Sequence, residues 1–175
     1  PDEIIQAVKW LQPSFGGINL EDIANPKCFY ILDRLRAEAG IPVWHDDQQG
    51  TAAITTAGLI NALKIVNKSA GEVKVVFNGS GAANVAIARM LFRLGINPAN
   101  SIVVDRKGIL HQGREDIAQI REQYTEKWKF IQTTNADNVT GGLTEALKGA
   151  DVLISLSHSG PGVISPEQIK GMARD

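Results

Sequence analysis

The sequence predicts an α/β protein in which a parallel sheet carries helices on both faces, preceded by the end of a smaller α/β domain. Three observations predict it. Residues 73–95 read as strand, glycine turn and helix. A second apolar run, Ser101 to Val104, follows that helix and ends on Asp105. Elsewhere, short extended runs alternate with helical patterns, the arrangement of parallel strands joined by crossover helices.

The elements follow in order. Residues 2–11 place Ile4, Ile5, Val8 and Leu11 on one helical face. Phe15 to Leu20 makes a turn and a short extended stretch that ends on Glu21-Asp22. Asn25 can cap a helix that has Pro26 at its first position and runs through Phe29, Ile31, Leu32 and Leu35 to Gly40. Pro42 to His45 reads as a strand, Asp46 to Gly50 as the turn after it, and Thr51 to Val66 as a long apolar helix. Residues 1–66 are assigned to the smaller domain with its connecting helix, and 67–175 to the glycine-turn domain.

In the second domain, Val73 to Phe77 forms the first strand and Asn78 to Gly81 the turn. Ala82 to Leu94 is the helix, with apolar positions at helical spacing and a stop at Gly95. Arg106-Lys107-Gly108 is a basic turn, Ile117 to Trp128 a helix of mixed charge, and Thr144 to Leu147 a short helix. Val152 to Leu156 is a further buried strand with the loop Ser157 to Gly162 beyond it, and Pro166 to Ala173 a last helix. The helical pattern begins at the first residue and stops where another strand should follow, so we expect an interior piece of a longer protein.

Composition narrows the function classes. A net charge of −1 offers no electrostatic case for nucleic acid or an anionic membrane. No apolar run reaches the ~18 residues of a membrane-spanning helix. One cysteine, Cys28, excludes an internal disulfide and suits a reducing cytoplasm. It reads as a small core residue.

The glycine turn carries the first chemical signal. Gly79 allows the tight turn, Gly81 lets backbone approach a pyrophosphate, and the amides that open the following helix face the phosphate charge in a Rossmann-like arrangement. Asp105 lies 24 positions beyond Gly81, near the ~20 expected of an acid that holds a ribose diol. Asn84 stands where the pattern has its third glycine. Asp105 points to NAD, because its charge repels a 2′-phosphate; Arg106 and Lys107 could instead grip that phosphate and admit NADP.

The acidic pairs Glu21-Asp22 and Asp46-Asp47 carry the second signal. Each follows a short extended run, and ligands gather at strand carboxyl ends. Carboxylates that converge there need a cation between them, and Mg²⁺ or Mn²⁺ accepts such oxygen ligands. Equally, each pair could serve a positive helix end. His45 reads as a hydrogen-bonded structural residue and His111 as a surface one. His158 could edge a nicotinamide pocket or face solvent.

The stretches Phe15 to Ile23 (FGGINLEDI) and Pro42 to Ile54 (PVWHDDQQGTAAI), followed by NGSGAA and VVDRKGIL, resemble the bacterial malic enzymes over essentially the whole chain. The resemblance implies that Glu21, Asp22 and Asp47 bind the divalent metal, with Asp46 a supporting catalytic carboxylate beside them. Gly79, Ser80, Gly81, Ala82 and Ala83 would hold the cofactor pyrophosphate and Asp105 the adenosine ribose. It further implies oxidative decarboxylation of malate to pyruvate by a cytoplasmic dimer or larger homo-oligomer. Two rivals stand beside it: a malolactic enzyme releasing lactate, and a non-catalytic nucleotide-sensing module. The chain departs from the family at Gln49, where many relatives carry His, and at Asn84. The resemblance implies that the family's proton-transferring Tyr and Lys would lie before Pro1 and its nicotinamide-side Asn after Asp175, so Tyr30 and Tyr124 are not candidates for these roles.

Overall fold

A computed structural model describes residues 1–174. Helix α1 (Asp2–Leu11) and a 3₁₀ turn lead into strand β1 (Ile18–Leu20), helix α2 (Lys27–Glu38) and strand β2 (Val43–His45). The two strands pair in parallel with Leu20 opposite His45. Ile5, Val8, Leu20, Ile31, Leu35 and Val43 close one apolar cluster around them.

A π-helical turn, Asp46–Gly50, runs directly into α3 (Thr51–Ile65). The second sheet is built from β3 (Val75–Asn78), β4 (Ile102–Asp105), β5 (Gly108–Ile109) and β6 (Val152–Ser155), in spatial order β5-β4-β3-β6. Strand β3 lies parallel to both β4 and β6. Its alternate side chains enter different clusters, as a period of two requires. Val75 and Phe77 join Val85, Ala88 and Leu91 of α4 (Ala82–Arg93), together with Leu59 of α3. Val76, with Ile102 and Val104, meets Ala146 and Leu147 of α7 (Leu143–Leu147) on the opposite face. Helices therefore cover both faces of the parallel strands, as the sequence predicts.

Cys28 and Phe29 of α2 belong to the larger cluster, while Ile31, Leu32 and Leu35 belong to the smaller one. Helix α2 thus locks the two sheets to each other through adjacent faces. Among the described residues no helix is long and apolar enough to cross a membrane.

Three local expectations are corrected. The turn expected over Arg106 to Gly108 is shorter, since Gly108 already belongs to a strand: it is Arg106-Lys107, where Lys107 donates its amide to Asp105 Oδ1 at 2.9 Å. The reversal this closes lets β5 add an antiparallel edge, Val104 opposite Ile109. Asn25 caps nothing, since its side chain donates to the Ser80 carbonyl and α2 begins at Lys27. The helix expected over Ile117 to Trp128 is two, α5 (Glu115–Ala118) and α6 (Thr125–Thr133). Arg114 and Lys127 both reach Asp105. On one continuous helix they would stand ~20 Å apart, so the chain turns between them. A last short helix, α8 (Pro166–Lys170), follows β6.

Candidate active site

The glycine turn sits at the carboxyl end of β3, at the floor of a cleft of about 750 Å³. Gly79 has φ +110°, and a Cβ there would lie 2.9 Å from the Leu156 carbonyl oxygen. Both the conformation and the space demand glycine. Gly81 precedes the first turn of α4, and a Cβ there would meet no atom within 4 Å, so the cleft is open above it. The helix is 12 residues long, and its first amides face this opening with the positive end of the helix dipole behind them. The residues present therefore fit a dinucleotide pyrophosphate in shape and in polarity.

Asn84, where a third glycine was expected, is 1% exposed. Its Nδ2 donates to the carbonyls of Asn78 at 3.0 Å and Gly79 at 2.9 Å. The first turn of α4 is thereby fastened to the turn before it.

Asp105 ends β4, beside the glycine turn, and lines the same cleft. Its side chain is nearly buried and both oxygens are engaged. Arg114 forks across them at 3.1 Å and 3.1 Å, and Lys127 adds a contact of 3.0 Å to Oδ2. Burial alone would raise the Asp105 pKa, but the Arg114 hydrogen bonds, the Lys107 amide and Lys127 outweigh it and hold the carboxyl below its ordinary value. Arg114 also grips Asp116, which in turn meets Lys107 at 3.0 Å. The sequence reading missed Arg114, Lys127 and Asp116, since no local pattern marks a residue that reaches a carboxylate 9 to 22 positions away. Arg106, Lys107 and His158 border the cleft; His158 is exposed, with Nδ1 3.2 Å from Ser157 Oγ.

The acidic pairs meet at the carboxyl end of the small sheet. With Leu20 opposite His45, the next residues, Glu21-Asp22 and Asp46-Asp47, leave the paired strands side by side. Asp22 adopts φ +54°, and its amide donates to Asp47 Oδ2 at 2.9 Å. Glu21, Asp22 and Asp46 are exposed and Asp47 partly so. Asp46 folds back over Gly50, where a Cβ would collide with its carboxylate. Gln49 accepts the His45 amide at 3.0 Å and so ties the π-helical turn to β2.

His45 lies beneath these carboxylates, fully buried, with neither ring nitrogen hydrogen-bonded and Nδ1 3.9 Å from Asp47 Oδ2. Burial lowers its pKa, against the opposing pull of Asp47, Asp46 and Glu21. An oxygen-only donor set of Glu21, Asp22 and Asp47 suits a hard divalent cation. Their shared location fits that role. Among the described residues no three His, Cys, Asp or Glu side chains already converge on one point, so ligation requires these exposed side chains to rotate inward.

Asn25 links the two regions. It follows the Glu21-Asp22 segment, borders the cleft, and donates to the Ser80 carbonyl of the glycine turn at 3.3 Å.

Comparison with known proteins gives a consistent answer. Residues 48–175 match the family described as "Malic enzyme, NAD binding domain", and residues 1–36 match "Malic enzyme, N-terminal domain". The chain is 47% identical to the NAD-dependent malic enzyme of Geobacillus stearothermophilus, over 99% of this chain and 34% of that protein. It is 43% identical to the NADP-dependent malic enzyme of Escherichia coli, over 99% of this chain and 22% of that one. The crystal structure of Entamoeba histolytica malic enzyme superposes with a TM-score of 0.93 at 49% identity, covering 99% of this chain and 35% of that chain. The chain therefore spans about a third or less of these proteins.

Proposed function

The chain belongs to the malic enzyme family, and from that premise we propose that the protein carrying it converts malate and NAD(P)⁺ to pyruvate, CO₂ and NAD(P)H. The observation that carries this reading is the register of the small sheet. Leu20 opposite His45 puts Glu21-Asp22 beside Asp46-Asp47, and Asn25 ties that segment to the glycine turn.

We assign residues 1–66 to a substrate and metal region and 67–175 to the dinucleotide region. Glu21, Asp22 and Asp47 would hold Mg²⁺ or Mn²⁺ through their oxygens, and Asp46 would support them from beside Gly50. When bound, such a cation supplies Lewis acidity toward substrate oxygens. The chain's own part is placement. The backbone of Gly79 to Ala83 and the opening of α4 receive the pyrophosphate, and Asp105 approaches the adenosine ribose. With Oδ1 paired to Arg114 and Oδ2 to both Arg114 and Lys127, Asp105 repels a 2′-phosphate less than a free carboxylate would. We therefore place the protein as NAD-preferring but tolerant of NADP. Ile54 and Ile65, 77% and 84% exposed on α3, support a homo-oligomer whose assembly covers them, and we place that enzyme in the cytoplasm.

The test is product analysis on the complete protein with malate, NAD⁺ and Mn²⁺. Stoichiometric NADH and pyruvate support the assignment. Lactate without net NADH would instead identify a malolactic enzyme, and no turnover with retained nucleotide binding a sensing module.

A further inference from the structure

We propose that Asn84 is a positioning residue for the dinucleotide: its carboxamide holds the glycine turn in the shape that presents the Ser80 amide to the pyrophosphate. This rests on the dinucleotide-binding role given to the cleft above.

The argument starts from the side chain's surroundings. Asn84 Nδ2 has two N–H donors, and they meet two carbonyls, those of Asn78 and Gly79. Turning the amide over would set Oδ1 against both carbonyl oxygens, so the orientation follows from the partners themselves. Oδ1 is left buried without a partner. A buried acceptor left unmade is destabilising, so this site keeps an amide for its donors at the expense of its oxygen.

The trans peptide converts this anchoring into a direction. Across a planar trans unit, the C=O of one residue and the N–H of the next point opposite ways. The unit between Asn78 and Gly79 obeys this visibly. The Asn78 carbonyl accepts from Asn84 and Leu156, while the Gly79 amide points across the sheet to the Val104 carbonyl at 2.8 Å. In the next unit the Gly79 carbonyl is drawn inward onto Asn84. The Ser80 amide must then point away, toward the cleft that Ser80 lines. Among the described residues that amide has no acceptor. A phosphate oxygen in the cleft is the partner this geometry prepares.

A third glycine serves this turn elsewhere by allowing close helix–strand packing. Here a side chain fills that space and replaces permissive backbone with two specific hydrogen bonds. The consequence runs against the motif: completing the glycine pattern should weaken the site.

The experiment compares wild type, Asn84→Gly and Asn84→Leu in the complete protein. Leu has the same number of side-chain heavy atoms as Asn, is uncharged and has no donor, and Asn84→Gly, which adds no bulk, controls for its larger methyl groups. ADP-ribose affinity is measured by calorimetry, NADH affinity by fluorescence, and Mn²⁺ affinity separately as a check on folding. We expect both variants to bind ADP-ribose and NADH about tenfold or more weakly. Cofactor KM should rise while kcat at saturating cofactor stays within about twofold and Mn²⁺ affinity is unchanged. Asn84→Ser, which keeps one donor, should fall between. A merely structural role would lower the active fraction, and hence kcat, with dissociation constants unmoved; that result overturns the proposal. So does an Asn84→Gly protein that binds as well as wild type or better, or an Asn84→Leu protein with wild-type affinity. If wild type itself binds neither ADP-ribose nor NADH, the dinucleotide reading fails and this proposal with it.

Discussion

The amide of Asp22 donates to the Asp47 carboxylate at 2.9 Å, although 25 positions separate the two residues. The contact exists because β1 and β2 run parallel with Leu20 opposite His45. Both acidic pairs therefore emerge from the same end of one sheet. An antiparallel pairing would have sent them to opposite ends.

Replacing Asp47 with Asn keeps an acceptor for the Asp22 amide but removes the charge. The melting temperature of Asp47→Asn should stay near that of wild type, because the hydrogen bond lost or weakened contributes only about 1 kcal/mol. Mn²⁺ affinity, read by calorimetry or electron paramagnetic resonance, should drop at least tenfold, or about 1.4 kcal/mol. Unchanged Mn²⁺ affinity would remove Asp47 from the ligand set.

Asp105 makes acid stability a site-specific quantity. Its pKa in the fold is below the ordinary 3.8, so folding stabilises the ionised form. That contribution is complete above the ordinary value and is lost as pH falls through it toward the folded pKa. Asp105→Asn should flatten the decline of melting temperature below about pH 4. Near neutrality it should cost about 3 kcal/mol, since Arg114 and Lys127 lose a nearly buried counter-charge. A decline as steep as in wild type would mean that other carboxylates govern the acid limb.

Lys127 also tunes how much of the Asp105 charge a ligand meets. In Lys127→Ala, one of the two cations is gone while Arg114 stays. The repulsion of a 2′-phosphate should grow, and the ratio of kcat/KM for NAD over NADP should rise about tenfold, or about 1.4 kcal/mol. If the ratio instead falls, Lys127 contacts the phosphate directly.

Cys28 should be silent toward thiol reagents in the native protein. Burial is the main cause that pushes its pKa up to about 11, and its side chain is fully enclosed between the two sheets. At pH 8 the reactive thiolate is then scarce. Ellman's reagent should titrate no thiol from Cys28 until denaturant is added. Rapid labelling of the native protein would show that α2 does not seal the junction between the sheets.

What could be read in the sequence was what is encoded over a few residues. The Val73 to Gly95 stretch announced strand, glycine turn and helix, because period, breaker and cap residues act within a turn or two of themselves. The glycine at 79 is demanded locally by its φ. The acidic pairs were visible as pairs, and their chemistry as oxygen donors followed from residue type. Their convergence was expected from their places at strand ends and from the family resemblance, but the contact itself depends on a register between strands separated by all of α2.

The tertiary structure alone decided the remainder. It set Arg114 and Lys127 on Asp105, broke one expected helix into α5 and α6, and sent Asn25 to Ser80 rather than to a helix cap. It also turned Asn84 from a gap in a glycine pattern into a two-donor clasp. Each of these outcomes is a polar side chain choosing a partner. In a packed interior that choice goes to whichever complementary group the fold brings within hydrogen-bonding distance, and nearness along the chain does not determine it.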